Sequence, residues 1–143
     1  MQALTAEEHE LKQEIQALVA RLAPAVLDEP GVGPIAAAQV LLSWSHRGRF
    51  RSEAAFARLA GAAPIPASSG RLLRHRLDPG GDRQLNRALH TIIISRRKNH
   101  PPTSAYIERR RAEGKSVREA IRCLKRYLAR HLFRLLEAAP MAA

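Results

Sequence analysis

Apolar residues recur at helical spacing through almost the whole chain, and polar caps and glycine or proline stops divide them into segments. Leu4, Leu11, Ile15, Leu18 and Leu22 follow one another at intervals of seven, four and three, with Lys12, Glu14 and Gln16 turned away. The spacing predicts a short coiled-coil-like seam. Thr5 with Glu8 reads as a capping box that opens this helix near residue 6 and carries it to about residue 23. In "LDEPGVGPIAAAQVLLSW", Gly31 and Gly33 allow a tight turn, and Pro34 suits the first position of a helix that reaches Trp44. "SEAAFARLAG" predicts a compact helix with Ser52 as N-cap, Ala55, Phe56 and Leu59 inward, and Gly61 as its stop.

Residues 62–81 break the pattern. Pro64, Pro66, Pro79, Gly70, Gly80 and Gly81 forbid a continuous helix there. A loop of this length between capped helices is usually functional. Beyond it Asp82 caps "RQLNRALHTIIISRRKN", which the Pro101–Pro102 pair ends. Thr103 opens a helix that stops at Gly114, and Ser116 with Glu119 forms a second capping box for a final helix to about Glu137. That helix carries an inward stripe of Val117, Ala120, Ile121, Leu124, Leu128, Leu132 and Leu135. The expected fold is mainly α: one compact multi-helix domain with a helix-hairpin-helix-like turn and one long irregular loop. Its expected divisions are a leading helix over 1–26, the domain proper over 27–137 and a disordered tail over 138–143.

Charge changes the picture. The chain of 143 residues has a formal net charge of +11. Residues 1–44 hold two basic and six acidic side chains, and residues 45–143 hold twenty-two basic and seven acidic. So basic a segment has a strong field for polyanions. In the last helix Arg118, Arg122, Arg126, Arg130 and Arg134 are spaced by fours, with Lys125 beside them, and form a candidate phosphate-tracking ridge. Arg83, Asn86, Arg87 and His90 share a face of the preceding long helix and are candidates to line a nucleic-acid groove. The Gly31-Val32-Gly33 turn resembles the hairpin that grips a phosphate backbone through its N–H groups, although a plain helical hairpin turn has the same residues.

The irregular segment holds the candidate chemistry. Ser68 and Ser69 precede Gly70, and Arg71, Arg74 and Arg76 follow. A serine becomes a nucleophile when its proton is removed and the developing charge is stabilised, and arginines serve the second need in phosphoryl transfer. A flexible surface turn has the same composition. Metal chemistry has little basis. The six histidines contain no His-x-x-x-His pair, Cys123 is alone, and Asp78 and Asp82 fit a turn residue and an N-cap better than a magnesium site. No metal or cofactor is expected on this chain. A single cysteine and the absence of a long apolar run predict a cytoplasmic protein without a membrane partner.

Four blocks then stand in a telling order: "EPGVGPIAAAQVLLSW", "GRFRSEAAFARLAGAAPIPASSG", "GGDRQLNRALH" and "REAIRCLKRYLARHLFRLL". In order and spacing they resemble the C-terminal domain of transposases of the insertion-sequence 110 group (116/110/902), from about Leu27 to Leu136. The resemblance implies DNA transposition by a recombinase that a structured bridge RNA guides. Its nucleophile is the serine before the glycine, here Ser69, with Ser68 as the fallback. It further implies a homo-oligomer in the full-length context, with the leading helix corresponding to the end of a connecting coiled coil. An N-terminal nuclease domain would hold Mg2+ on its acidic ligands. Only about twenty-six residues precede the matching region here, so the chain alone is expected to bind DNA without cutting it. The alternative function is a non-catalytic nucleic-acid-binding remnant.

Overall fold

The computed structural model describes residues 2–62 and 81–139. Among these residues there are seven helices and no strand: α1 (Gln2–Leu22), α2 (Pro24–Leu27), α3 (Pro34–Trp44), α4 (Glu53–Leu59), α5 (Arg83–Asn99), α6 (Pro101–Ala112) and α7 (Val117–Ala138). The expected all-helical architecture holds. Three of the sequence-predicted N-caps act as caps. Ser52 Oγ accepts from the Ala55 N–H at 3.1 Å, Asp82 Oδ1 from Leu85 at 2.9 Å, and Ser116 Oγ from Glu119 at 3.1 Å. Two glycine stops work equally directly. Gly61 and Gly114 take positive φ angles of 72° and 94°. Around them the N–H of Ala62 reaches the Ala57 carbonyl and that of Lys115 reaches Arg110, the paired closure that ends a helix at a left-handed residue.

Other boundaries differ from the periodic reading. Helix α1 starts at Gln2, so Thr5 and Glu8 lie inside it, and Glu8 forms an ion pair with Lys12 at 3.6 Å. Gln2, Ala3 and Leu4 favour helix and continue it past the candidate cap. The leading helix breaks at Ala23, where Pro24 opens α2. Pro101 and Pro102 do more than end α5. They occupy the first turn of α6, where a missing N–H costs nothing, and His100 is the shared residue between the two helices. Thr103 is therefore inside α6 and buried, its Oγ1 2.8 Å from His100 Nδ1.

Helix α5 is the centre of the fold. Leu85, Leu89, Ile92 and Ile93 are fully buried and pack among α3, α6 and α7. Helix α4 lies on α7 through an aromatic cluster, with the Phe56 ring 5.2 Å from Phe50 and 5.6 Å from Phe133. The C-terminal half of α1 docks on α3 using Val19 and Ile15. The rest of its apolar seam stays open, with Leu4, Leu11, Leu18 and Leu22 at 67%, 56%, 51% and 54% exposure.

The turn between α2 and α3 is occupied from within the chain. Arg96 of α5 donates Nε to the Pro30 carbonyl at 2.6 Å and holds Glu29 at 3.4 Å, while His131 of α7 meets the same Glu29 oxygen at 2.7 Å. Gly31 has φ +77°, and a Cβ there would lie 2.8 Å from Arg96 Cγ and 3.1 Å from the Ile92 carbonyl. Both the angle and the neighbour demand glycine. A Cβ on Gly33, the N-cap of α3, would meet nothing within 4 Å. Gly31→Ala is accordingly expected to cost about 1–3 kcal/mol in chemical denaturation, and Gly33→Ala about 0.5 kcal/mol. Equal costs would remove the steric account of this turn.

Candidate nucleic-acid interface

The segment with Ser68, Ser69, Arg71, Arg74 and Arg76 lies outside the described residues. Its two flanks, at the end of α4 and the start of α5, are described and are held together by a dense set of hydrogen bonds. The Asp82 N–H donates to the Leu59 carbonyl at 2.7 Å. The same residue caps α5 with Oδ1, and its Oδ2 accepts from Ser43 Oγ of α3 at 2.6 Å. Gln39 Nε2 donates to that serine in turn at 3.0 Å, and Ser43 is buried. One turn further on, Asn86 Nδ2 donates to the Ala60 carbonyl at 2.7 Å, and Asn86 Oδ1 accepts from Lys125 Nζ of α7 at 3.3 Å. Residues 62 and 81 are thereby tied into one neck.

Basic side chains lie along α5 and α7, the two helices that Lys125 and Asn86 join at this neck. Arg83 and Arg87 are exposed on α5, with Asn86 half-buried between them and His90 exposed one turn on. From α7, Arg118 and Arg122 are exposed, and Lys125 and Arg126 are half-buried. Burial lowers the pKa of Lys125, and the charge of Arg122 lowers it further. His90 is likewise lowered, first by burial and then by Lys125, which favours its neutral form.

The arginine row on α7 does not form a single surface. Steps of four residues rotate each successive side chain by about 40°, so the row drifts by about 160° from Arg118 to Arg134. Arg130 Nε and Arg134 Nη1 both reach Glu53 of α4, each at 2.8 Å. These two hydrogen bonds are the main reason that the Glu53 carboxyl is held below its ordinary pKa. Arg130 is thus engaged within the fold, and Arg118 and Arg122 have no carboxylate within ion-pair distance among the described residues. Gly31 and Gly33 belong to a different place, the turn filled by Arg96. Sequence reasoning missed Ser43, whose role depends on a bond to Asp82 across 39 positions. It also missed Glu53, whose spacing from Arg130 and Arg134 is 77 and 81 positions. No local pattern signals either.

Among the described residues no group of three or more His, Cys, Asp or Glu side chains gathers as metal ligands. The described carboxylates near the neck therefore do not fit a magnesium site. No described helix is long and apolar enough to cross a membrane.

The neck makes a quantitative claim about Asp82. Asp82→Ala removes a helix cap and leaves the buried Ser43 hydroxyl without its acceptor, for an expected loss of about 2–3 kcal/mol. Ser43→Ala alone is expected to cost about 1 kcal/mol. A double-mutant cycle read by urea denaturation should give a coupling of about 1 kcal/mol between the two. Strict additivity would dissolve the neck into independent contacts.

Residues 23–108 match the model of the "Transposase IS116/IS110/IS902 family". The chain is 34% identical over 129 residues to the "Insertion element IS110 uncharacterized 43.6 kDa protein" of Streptomyces coelicolor, covering 88% of this chain and 32% of the relative. It is 33% identical over 108 residues to the "Insertion element IS900 uncharacterized 42 kDa protein" of Mycobacterium paratuberculosis, covering 74% of this chain and 27% of the relative. The chain therefore spans about a third or less of the length of these curated relatives. The family match covers more than half of its residues and crosses the turn at Gly31, the neck at Asp82 and most of α6, so the chain belongs to the Transposase IS116/IS110/IS902 family.

Proposed function

We propose that this chain is the serine-bearing, DNA-binding part of a transposase, with Ser69 as nucleophile and Ser68 as the alternative. The carrying observation is the neck. Asp82, Ser43 and Asn86 tie the two ends of the serine-bearing segment together beside Lys125, Arg83 and Arg87. These bonds fix the two described flanks of the segment beside that charge. The surrounding positive charge favours a phosphate backbone and the charge that develops on a phosphate during displacement.

The reaction is a transesterification. Ser69 Oγ bonds to a DNA phosphorus, the bond from that phosphorus to one sugar oxygen breaks, and the proton lost by serine ends on the released oxygen. Reversal at a second strand end frees the serine and rejoins DNA. Guidance by a bridge RNA and Mg2+ held by a separate acidic domain belong to the same reading, and this chain's described residues supply no ligands for the metal. The exposed seam of α1 fits a helix that pairs with further coiled coil, consistent with a homo-oligomer.

The test is covalent adduct formation on element DNA by a full-length family member that carries this region. Ser69→Ala should abolish both the denaturant-stable protein–DNA adduct and the recombinant product, while Ser68→Ala retains them. Recombination by the Ser68→Ala, Ser69→Ala double variant would remove the serine mechanism. For assembly, light scattering of the same protein should show a smaller species when Leu11→Glu and Leu18→Glu are combined. An unchanged mass would take the α1 seam out of the interface.

A further inference from the structure

A second surface, formed where α6 crosses α7, has a composition that the basic neck does not need. Tyr106 of α6 and Tyr127 of α7 meet edge to face, with ring centroids 6.4 Å apart and planes at 90°. Three guanidinium groups line this pair. Arg109 and Arg110 lie 5.3 and 5.8 Å from the Tyr106 centroid, and Arg126 lies 5.4 Å from that of Tyr127. Tyr127 is 52% exposed, so part of its ring is open to a ligand. Arg110 is paired with Glu113 at 3.0 Å, whereas Arg109 and Arg126 have no carboxylate within ion-pair distance among the described residues.

The partner that fits must offer flat π faces and negative charge at short, regular intervals. A duplex offers the charge but hides its base faces in the stack. An acidic peptide offers the charge but makes no use of an exposed tyrosine ring. We infer that the Tyr106–Tyr127 pair, with Arg109 and Arg126, is a stacking platform for an unpaired strand of nucleic acid. A base packs on the exposed part of the Tyr127 ring, while the neighbouring phosphates meet Arg109 and Arg126. This inference rests on the nucleic-acid-binding reading above but concerns a different face and a different form of the ligand.

Fluorescence anisotropy of the full chain with two labelled probes separates them: a 16-nucleotide oligo-dT strand and a 16-base-pair duplex. Tyr127→Ala should weaken binding of the single strand by about 5- to 100-fold, with duplex affinity changed by less than about twofold. Tyr127→Phe keeps the ring and should restore single-strand affinity to within about twofold of the wild type. The Arg83→Gln, Arg87→Gln pair should have the opposite selectivity, weakening the duplex and not the single strand, so unchanged duplex affinity in that pair counts against the neck as a duplex site and leaves the platform standing. Unchanged single-strand binding by Tyr127→Ala overturns the platform. So does an equal loss on both probes, or a change of oligomeric mass in Tyr127→Ala without a change in single-strand affinity.

Discussion

Asp82 is the point on which the described architecture turns. Its backbone N–H closes onto α4, one carboxylate oxygen starts α5, and the other accepts from a buried serine of α3. Three helices are located by one residue, and two of its bonds are to a carboxylate, which strengthens them relative to neutral pairs. Because α5 is the helix that packs against α3, α6 and α7, an error at its first turn would be felt throughout the core. The same residue ties the described flank that follows the serine-bearing segment to α4 and α3.

The distribution of positive charge has a similar logic. A protein with net charge +11 works against its own repulsion. The few carboxylates are placed where arginines from distant elements converge. Glu53 gathers Arg130 and Arg134, and Glu29 gathers Arg96 with His131. These pairs anchor α4 to α7 and the α2–α3 turn to α5 and α7. What remains without a carboxylate partner among the described residues includes Arg118, Arg122, Arg109 and Arg126 on α6 and α7. The charge left outward-facing is thus the product of internal pairing as much as of composition.

Much of the fold was legible in the chain itself. Ser52, Asp82 and Ser116 cap the helices they were expected to cap, and Gly61 and Gly114 end theirs. The boundaries that moved have local explanations of equal weight. Gln2, Ala3 and Leu4 carry α1 past Thr5, and a proline pair that ends one helix also suits the first turn of the next. The candidate site was legible only in part. Arg83, Arg87, Lys125 and Asn86 do come together at the neck, whereas Arg130 turns to α4. The Gly31 turn, open to a phosphate-binding reading from its sequence, owes its glycine to Arg96 and the Ile92 carbonyl.

By itself the sequence determined which residues cap and stop most of the helices, which face of each is apolar, and how much positive charge the domain must carry. Those properties arise from interactions three or four residues apart, between a cap and its N–H or along one helical stripe. Only the tertiary structure decided which arginines are neutralised and which polar groups brace the neck. The decisive bonds, from Arg96 to Glu29, Arg130 to Glu53 and His131 to Glu29, join residues separated by 67, 77 and 102 positions. Burial brings such side chains together and a charge or hydrogen bond then holds them, so their pairing exists only once the helices have packed.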